Sequence, residues 1–365
     1  MTISRCVPFE SQTSLHLATI PPTSRISLAN LPTPLSQVPG SWGNESELWI
    51  KREDMAGVEL SGNKARKLEY LLADAIDKGA SLIITCGGVQ SNQCRATAAA
   101  CAKIGLKCLL LLRLDEGQTV QKIDPLQGNL LLDQLFGAQL QFVTSKEYTA
   151  KGGHRLLQEA ATKLQKDNQV PYTIPLGAVN AIGSWGFVVA VEELIQQVDK
   201  MNIRMFDTIC LAAGSGGTLA GILTGLWRLQ VAQVKVLALT PCDDTEIYIR
   251  MLNELLPAMG VADVQGALRP LKLQHAKGMS FKSASNEDVA FVSELAKASG
   301  VLLDPMYMGK ALRAACSEIK DKERVLFWHT GSIFSLAAFS GMFTIGNTDP
   351  IPQIIRNRSG KAIIW

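Results

Sequence analysis

The chain has 365 residues, with 36 Lys and Arg against 33 Asp and Glu, and a formal net charge of +3. Its length predicts two domains, and a content of 47% apolar and 19% charged residues excludes a disordered chain. The small net charge, without a basic stripe interleaved with aromatic residues, argues against nucleic acid as a partner.

Short apolar runs alternate with helical patterns along the chain, and the proline-rich stretch 21–39 before them is expected to be extended and to wrap a surface. The predicted strands are 81–85, 107–112, 139–143, 172–175, 208–212, 234–239 and 325–328. The predicted helices are 64–78, 93–104, 154–165, 187–198, 218–229, 286–298 and 309–321. This alternation predicts an α/β protein with mostly parallel sheets and helices on both faces.

One uncharged stretch, 325–348, is long enough to span a bilayer. Because it contains His329, Thr330, Gly331 and several serines, a buried strand, a glycine turn and a buried helix from about 333 explain it better. Residues 1–22 lack the sustained apolar core of a signal peptide. We therefore expect no membrane association.

The cysteine pattern bears on metal binding and on the compartment. The chain has eight cysteines without C-x-x-C spacing and four histidines, which argues against a zinc site, so no metal is expected. Reduced cysteines in a cytoplasmic compartment fit this pattern best.

Four predicted strands run directly into loops of small residues that open helices. These loops begin at Cys86, Leu176, Ala213 and His329. In open α/β sheets, ligands bind at the carboxyl ends of strands, close to helix N-termini. The four loops therefore predict a single cleft between two domains.

The segment 214–218, Gly-Ser-Gly-Gly-Thr, is the best candidate for an anion site. Its glycines allow several backbone N–H groups to point at one oxygen cluster, and the following helix adds its positive end. No Gly-Lys-Ser/Thr follows, and Leu219 takes the third glycine position of G-x-G-x-x-G, so neither nucleotide motif fits. A tight turn imposed by packing alone is the alternative.

The segment 61–67, Ser-Gly-Asn-Lys-Ala-Arg-Lys, places three cations at a predicted helix start, where the macrodipole disfavours them. The cations are either solvated and tolerated, or an anion binds there, or one lysine has a lowered pKa. The helix N-terminus with Arg66 and Lys67 would favour a neutral Lys64, the form that a Schiff-base amine needs.

Two further features allow both a structural and a functional interpretation. In the segment 90–93, Gln-Ser-Asn-Gln, Ser91 and Asn92 either cap a helix or grip a carboxylate. Tyr307 is either a core aromatic residue or a phenol that faces the cleft.

Together these segments resemble the pyridoxal-phosphate enzymes of the tryptophan-synthase-β fold type, and more narrowly the 1-aminocyclopropane-1-carboxylate deaminases and D-cysteine desulfhydrases. The resemblance extends from 32–35 and 51–54 to His329, and its most specific parts are 61–70 and 87–93. It implies two open, mostly parallel twisted sheets flanked by helices, and usually a homodimer. It also implies a larger cofactor domain, 1–75 with 185–365, and a smaller inserted domain, 76–184.

The resemblance implies a role for each matched residue. Lys64 would form the internal aldimine with pyridoxal phosphate, and Lys64 or Ser91 would be the base. The other cofactor-binding residues would be Asn63, Asn92 (on the pyridine hydroxyl), Thr330 and, on the phosphate, Gly214, Ser215, Gly216, Gly217 and Thr218. The substrate carboxylate and α-carbon would be faced by Ser91, Asn92 and Gln93. Tyr307 would line the substrate side of the cleft.

Three positions depart from the pattern of these enzymes. Met308 follows Tyr307, where many deaminases have Glu and desulfhydrases have Thr, and a thioether is at best a weak acceptor. Met279 replaces a second tyrosine. Ser332 replaces the last glycine of His-Thr-Gly-Gly, whereas Thr330 agrees with the desulfhydrases and not with the Leu of the deaminases.

We therefore expect a pyridoxal-phosphate-dependent α,β-elimination on a small amino acid, most consistent with conversion of D-cysteine to pyruvate, sulfide and ammonia. Without a proton donor at the ring nitrogen, the reaction should be limited to substrates with good leaving groups. Ring-opening deamination of 1-aminocyclopropane-1-carboxylate is the first alternative. A non-catalytic protein that binds the cofactor or an amino acid is the second, and Met308 and Met279 are its best support. The glycine pattern disfavours a third, a nucleotide-binding oxidoreductase.

Overall fold

The computed structural model describes residues 21–38, 46–120, 128–231, 233–241, 245–276 and 284–342, with side chains to 337, and the backbone at 7–8, 355–356 and 362–363. The strands are β1 (Val7–Pro8), β2 (Ser24–Arg25), β3 (Leu35–Gln37), β4 (Glu47–Arg52), β5 (Leu82–Gly88), β6 (Lys107–Arg113), β7 (Gln139–Val143), β8 (Pro171–Ile174), β9 (Thr208–Ala212), β10 (Lys235–Thr240), β11 (Leu271–His275), β12 (Arg324–His329), β13 (Ile355–Arg356) and β14 (Ala362–Ile363). The α-helices are α1 (Lys64–Asp77), α2 (Asn92–Ile104), α3 (Gly128–Leu135), α4 (Ser145–Lys166), α5 (Ala181–Lys200), α6 (Gly217–Arg228), α7 (Glu246–Ala258), α8 (Val264–Leu268), α9 (Asn286–Ser299) and α10 (Met308–Cys316).

Two parallel-rich sheets organise the described part of the chain. The larger sheet has the order β11-β10-β9-β12-β4-β3 and is parallel except for the β3–β4 pair. The smaller sheet has the order β7-β6-β5-β8 and is parallel throughout. Buried apolar side chains from both faces of each sheet pack against the helices. The predicted α/β class and all seven predicted strands are confirmed.

Several elements differ from the sequence prediction. Strands β3, β4 and β11 and helices α3, α7 and α8 were not predicted. The predicted helix 309–321 ends at Cys316, and the predicted helix 187–198 is the middle of α5, which begins at Ala181. The predicted helix 154–165 is the second part of α4, which is interrupted at Gly152 with φ 75°.

The segment before the larger sheet is extended, as predicted, and lies against α1. The backbone N–H of Ile26 donates to the carbonyl oxygen of Glu69, and the N–H of Leu28 donates to the Glu69 carboxylate, both over 3.0 Å. The segment then forms β3 at the edge of the larger sheet.

The strands of the smaller sheet lie between residues 82 and 174, whereas those of the larger sheet lie before residue 53 and after residue 207. This separation is compatible with an inserted domain. The boundaries 1–75, 76–184 and 185–365 stay a prediction.

Close packing of α1, α5 and α6 fixes the relative position of the segments that lead into α1 and α6. Helix α5 contacts both α1 and α6. A Cβ atom on Gly186 would lie 2.4 Å from the carbonyl oxygen of Arg66, and one on Gly221 would lie 2.3 Å from the carbonyl oxygen of Ser184. Glycine at these positions therefore lets the backbones of α1 and α6 approach α5 directly, which sets the distance between their N-termini.

The uncharged stretch 325–348 continues from β12 into a 3-10 helix at Ile333–Met342, in place of the predicted buried α-helix. In the described part of the chain, no helix is both long and apolar enough to cross a membrane. The described cysteines, which exclude Cys6 and Cys242, are free and buried. Within the same residues no group of three or more His, Cys, Asp or Glu could hold a metal ion.

Candidate active site

A cleft of about 600 Å³ lies at the carboxyl ends of strands from both sheets. All four loops singled out in the sequence line it, after β5, β8, β9 and β12, together with the first turn of α1. The predicted site residues that line it are Asn63, Lys64, Ser91, Asn92, Gln93, Gly214, Ser215, Gly216, Thr218, Tyr307 and Thr330. The prediction of a single cleft formed by these loops is confirmed.

Lys64 is the first residue of α1 and is half-buried in the cleft wall. Burial disfavours the charged ammonium and lowers the pKa of Lys64 to about 8. The sequence argument attributed such a shift to the helix N-terminus and to Arg66 and Lys67. Desolvation is the cause of the shift, and neither Arg66 nor Lys67 contributes to it.

Arg66 points away from the cleft and is neutralised by two carboxylates. Its Nε donates to Glu53 over 2.6 Å, and its Nη2 donates to Glu193 over 2.8 Å. Lys51 also donates to Glu193. The carboxylates of Glu53 and Glu193 raise the pKa of Arg66 despite its burial. Arg66 is 1% exposed, so the alternative of a solvated cation is wrong for this residue. The network anchors the start of α1.

Lys67 is fully buried behind the glycine turn, a position that the sequence did not reveal. Its Nζ donates to the carbonyl oxygen of Gly177 over 3.2 Å and lies 2.8 Å from the position of a Cβ on Gly217. None of the described carboxylates pairs with it. Burial, together with the charge of Lys64, holds its pKa well below the usual range. A buried amine without a carboxylate partner is well suited to an anion in the adjacent turn, since the anion would favour its protonated form.

The glycine turn after β9 leads into α6 through Gly216, whose φ of 86° favours glycine. Gly177 in the loop after β8 approaches so closely that its Cβ would lie 2.1 Å from Ser215 Oγ. The side-chain amide of Asn63 donates to Thr218 Oγ1 over 3.0 Å, which ties the turn to the residue before Lys64. The N-terminus of α6 has no side-chain cap, so its N–H groups can bind an anion.

The segment 90–93 opens α2, as predicted. Ser91 is the N-cap, and its Oγ accepts a hydrogen bond from the N–H of Cys94 over 3.2 Å. Asn92, the first helical residue, and Gln93 both line the cleft, and the side chain of the buried Gln93 also donates from Nε2 to Thr97 on its own helix. Ser91 therefore caps the helix and also lies in the cleft, so the two interpretations of this residue are compatible.

Tyr307 also lines the cleft, and a buried carboxylate holds its backbone. Asp304 accepts hydrogen bonds from the backbone N–H groups of Met306, Tyr307 and Met308, over 3.0, 2.7 and 3.1 Å. The Tyr307 ring lies 3.9 Å from the Cβ position of Gly214, next to the glycine turn. Burial raises the pKa of its phenol.

Two of the three departures from the pattern of these enzymes also lie in this cleft. Met308 is buried, and Thr330 Oγ1 donates to its sulfur over 3.5 Å. Ser332 adopts φ 75°, in the left-handed region, and its hydroxyl accepts a hydrogen bond from Asn92 over 2.9 Å. The third departure, Met279, lies outside the described residues.

Sequence reasoning missed Lys67 as a neighbour of the glycine turn, and it missed Arg113 and Tyr148, which line the cleft from β6 and α4. The available signal for Arg113 was its position at the carboxyl end of a predicted strand.

The sequence profile of a family described as pyridoxal-phosphate dependent enzyme matches residues 26–331. The chain belongs to this family. The predicted cofactor is thereby confirmed, and the rival of a nucleotide-binding oxidoreductase has no support.

Individual members of the pyridoxal-phosphate dependent family are similar over most of the chain. A protein of Arabidopsis thaliana named bifunctional D-cysteine desulfhydrase/1-aminocyclopropane-1-carboxylate deaminase, mitochondrial, is 40% identical over 88% of this chain and 81% of its own length. A D-cysteine desulfhydrase of Klebsiella pneumoniae (strain 342) is 34% identical over 86% of this chain and 96% of its own. The crystal structure of an ACC deaminase homologue superposes with a TM-score of 0.75 and 32% identity, over 87% of this chain and 94% of that one.

The residues present fit the cofactor of this family. A half-buried amine with a lowered pKa shares the cleft with an uncapped helix N-terminus, and a buried cation lies behind that N-terminus. Lys64 suits an aldehyde carbon, whereas the turn 214–218 and Lys67 suit a phosphate.

Proposed function

We propose that this protein catalyses an α,β-elimination on a small amino acid and that D-cysteine is its preferred substrate, giving pyruvate, sulfide and ammonia. The observation that carries the proposal is that the Lys64 amine shares one cleft with the N-termini of α2 and α6. One N-terminus suits the cofactor phosphate and the other suits a substrate carboxylate.

Pyridoxal phosphate, when bound, supplies an aldehyde that condenses with amines and a ring that delocalises negative charge. We propose that Lys64 holds the aldehyde carbon, with Asn63, Asn92 and Thr330 beside the ring. The phosphate would be held by Gly214, Ser215, Gly216, Gly217 and Thr218, with Lys67 behind them.

The protein's own groups then bind the substrate and move a proton. The N-terminus of α2, with Ser91, Asn92 and Gln93, binds the substrate carboxylate and faces the α-carbon. Lys64 would remove the α-proton after the substrate amine has displaced it from the aldehyde carbon, because a pKa of about 8 leaves a useful fraction of neutral amine near neutral pH. Ser91 is the alternative base. Tyr307 lines the side of the cleft where the β-substituent leaves.

Thr330 favours D-cysteine over the cyclopropane substrate, since it agrees with the desulfhydrases and the deaminases favour Leu there. Met308 adds to this preference, because it lies where many deaminases have a carboxylate. The second candidate, deamination of 1-aminocyclopropane-1-carboxylate, is favoured by the bifunctional name of the Arabidopsis relative. Nothing in the comparisons supports the non-catalytic alternative.

A substrate panel tests the proposal. Holoprotein should release sulfide and pyruvate in equal amounts from D-cysteine, and Lys64→Ala should abolish both products and the covalent visible absorbance band. Ammonia and 2-oxobutyrate from the cyclopropane substrate, without activity on D-cysteine, would establish the second candidate instead. Binding without turnover across D-cysteine, L-cysteine, β-chloro-D-alanine, D-serine and L-cysteate would establish the non-catalytic one.

We further propose a homodimer, located in the cytoplasm, with a larger domain of 1–75 and 185–365 and an inserted domain of 76–184. The two separate sheets support the division, and the free cysteines support a reducing compartment. The Arabidopsis relative is named mitochondrial, so fractionation of the native cells is the appropriate test of location. Light scattering of the purified chain tests the dimer.

A further inference from the structure

Arg113 is a cation in the cleft that none of the roles above uses. It is the last residue of β6 and pairs in register with Gly88 at the end of β5. Its Nη2 lies 4.0 Å from the position that a Cβ would take on Gly88. The guanidinium is therefore beside the backbone that leads into α2, where Ser91 N–H donates to the Gly88 carbonyl oxygen over 2.9 Å.

Two buried guanidinium groups near the cleft, those of Arg66 and Arg95, have acceptors. Arg66 pairs with Glu53 and Glu193. Arg95 donates to the carbonyl oxygens of Glu59 and Ser61 and to the Asn129 side chain.

Arg113 contrasts with both. Among the described residues, no carboxylate or carbonyl accepts from its guanidinium, whose recorded contact is the Tyr148 ring at 5.2 Å from Cζ to the ring centroid. Asp115 also lines the cleft, but it is exposed and forms no ion pair with Arg113. Arg113 thus offers its N–H donors to the cleft.

Tyr148 holds the guanidinium without consuming those donors. The tyrosine lies in the first turn of α4, where its N–H donates to the Thr144 carbonyl oxygen over 2.9 Å. This cation–π contact uses none of the N–H donors, so they remain available for a carboxylate or sulfonate, which a guanidinium binds through two parallel hydrogen bonds.

The N-terminus of α2 and Arg113 line the same cleft, and both are next to Gly88, so two groups that attract anions share this part of the cleft. We propose that Arg113 binds an anionic group of the amino-acid substrate and that Tyr148 positions it. This inference rests on the proposed function, since it concerns the same cleft. The anion is either the α-carboxylate or an acidic group on the substrate side chain.

Three ligands without a β-leaving group distinguish these two sources. Alaninamide carries no anion, alanine carries one carboxylate and aspartate carries two. Each enantiomer is titrated into wild-type and Arg113→Met holoprotein, and the dissociation constant is read from the change in cofactor absorbance. Because a hydrogen bond to a charged group is lost, we expect the affected ligand to bind roughly tenfold or more weakly.

The pattern of losses assigns the anion. Weaker binding of alanine and aspartate, with alaninamide unchanged, identifies the α-carboxylate. Weaker binding of aspartate alone identifies a side-chain anion. Unchanged binding of all three ligands overturns the inference. An equal loss for all three also overturns it, because such a loss reflects a merely structural role of Arg113. Arg113→Lys should restore part of the affinity, because it keeps the charge but not the two-point contact.

Arg155→Met is the matched control, since Arg155 is exposed on α4, pairs with Glu159 and does not line the cleft. It should bind all three ligands like the wild type. Turnover of D-cysteine is measured on the same samples. A wild type that binds the ligands but eliminates from no substrate contradicts the proposed function, whereas the ligand series still decides the role of Arg113.

Discussion

The side-chain amide of Asn92 donates a hydrogen bond to the hydroxyl of Ser332 over 2.9 Å. This bond joins the start of α2, which packs on the smaller sheet, to the loop that follows β12 in the larger sheet. The side-chain Oδ1 of Asn92 accepts from the Asn129 side-chain amide over 3.1 Å, so both ends of the Asn92 amide are engaged. Asn92 is thereby held in one orientation between the two sheets, with a second amide hydrogen for a ligand.

Ser332 combines this hydrogen bond with a strained backbone, and two substitutions separate the effects. Its φ of 75° costs a non-glycine residue roughly 1 kcal/mol, and the hydrogen bond contributes about 1 kcal/mol. Ser332→Ala should lower the free energy of unfolding by about 1 kcal/mol, since it loses the bond and keeps the strain. Ser332→Gly should lie closer to the wild type. Urea denaturation of the apoprotein measures both, and equal destabilisation would contradict this account.

The lowered pKa of Lys64 predicts how the apoprotein recombines with an aldehyde. Only the neutral amine attacks a carbonyl carbon. The rate of covalent binding of pyridoxal should therefore rise with pH and level off above about 8, the pKa of Lys64, and not above its ordinary value of 10.5. Stopped-flow absorbance measures this rate, and Lys64→Arg should give no covalent band at any pH. A rate that keeps rising to pH 10 would contradict the burial argument.

The same shift predicts a pH dependence of stability. Between about pH 8 and 10.5, unfolded Lys64 holds its proton and folded Lys64 has released it. Since the unfolded state binds more protons in this window, the free energy of unfolding of the apoprotein should rise with pH. Lys64→Met should show a smaller rise, and the part that persists should come from Lys67, whose pKa is also lowered.

Lys67 predicts opposite effects on cofactor binding and on apoprotein stability. Lys67→Met removes a buried amine without a carboxylate partner among the described residues, so the apoprotein should be at least as stable as the wild type. Affinity for pyridoxal phosphate should fall roughly tenfold or more, because a cation behind the phosphate turn is lost. Pyridoxal, which lacks the phosphate, is the control ligand and should bind both proteins equally. Equal losses for the two ligands would assign Lys67 a structural role only.

The sequence predicted the strands and loops of the cleft because their signals are local. Apolar runs ending in small residues mark β5, β8, β9 and β12, and the ends of parallel strands meet at one edge. Strand β4 escaped prediction because Glu47, Lys51 and Arg52 surround its apolar residues, and the burial of Lys51 depends on distant acceptors that include Glu193 and Gln197.

The directions of the cations 64–67 could not be predicted, because they depend on partners far along the chain. Glu193 lies 127 residues from Arg66, and Gly177 lies 110 residues from Lys67. For the same reason Arg113 was overlooked, since its neighbour Tyr148 and the turn at Gly88 come from different elements.

Asp304 positions Tyr307 and Met308 through their backbone N–H groups, which predicts the effect of a near-isosteric change. Asp304→Asn would place an amide NH₂ opposite at least one of these donors and should lower the free energy of unfolding by about 1–3 kcal/mol. Burial raises the pKa of Asp304 to about 6 from 3.8. The folded carboxyl therefore binds more protons between these values, and its contribution to stability falls as pH rises through this range. Asp304→Asn should remove that slope in urea denaturation.

Activity provides the second readout for Asp304. Because the cleft-facing tyrosine is displaced, kcat of Asp304→Asn should fall towards that of Tyr307→Phe. A variant that loses stability but keeps wild-type kcat would show that Asp304 acts on the fold and not on the cleft.

Met308 predicts which leaving groups the protein tolerates. By the family resemblance this residue would lie beside the ring nitrogen, where a thioether cannot donate a proton and accepts only weakly. Met308→Thr would restore a hydroxyl next to Thr330, whose Oγ1 lies 3.5 Å from the Met308 sulfur. Stabilisation of the developing charge matters most when the leaving group is poor. The ratio of kcat/KM for D-serine to that for β-chloro-D-alanine should therefore rise roughly five- to tenfold in Met308→Thr. Met308→Leu preserves an apolar side chain and should leave the ratio unchanged. An equal change in kcat/KM for both substrates in Met308→Thr would show that this residue does not affect the stabilisation of charge by the ring.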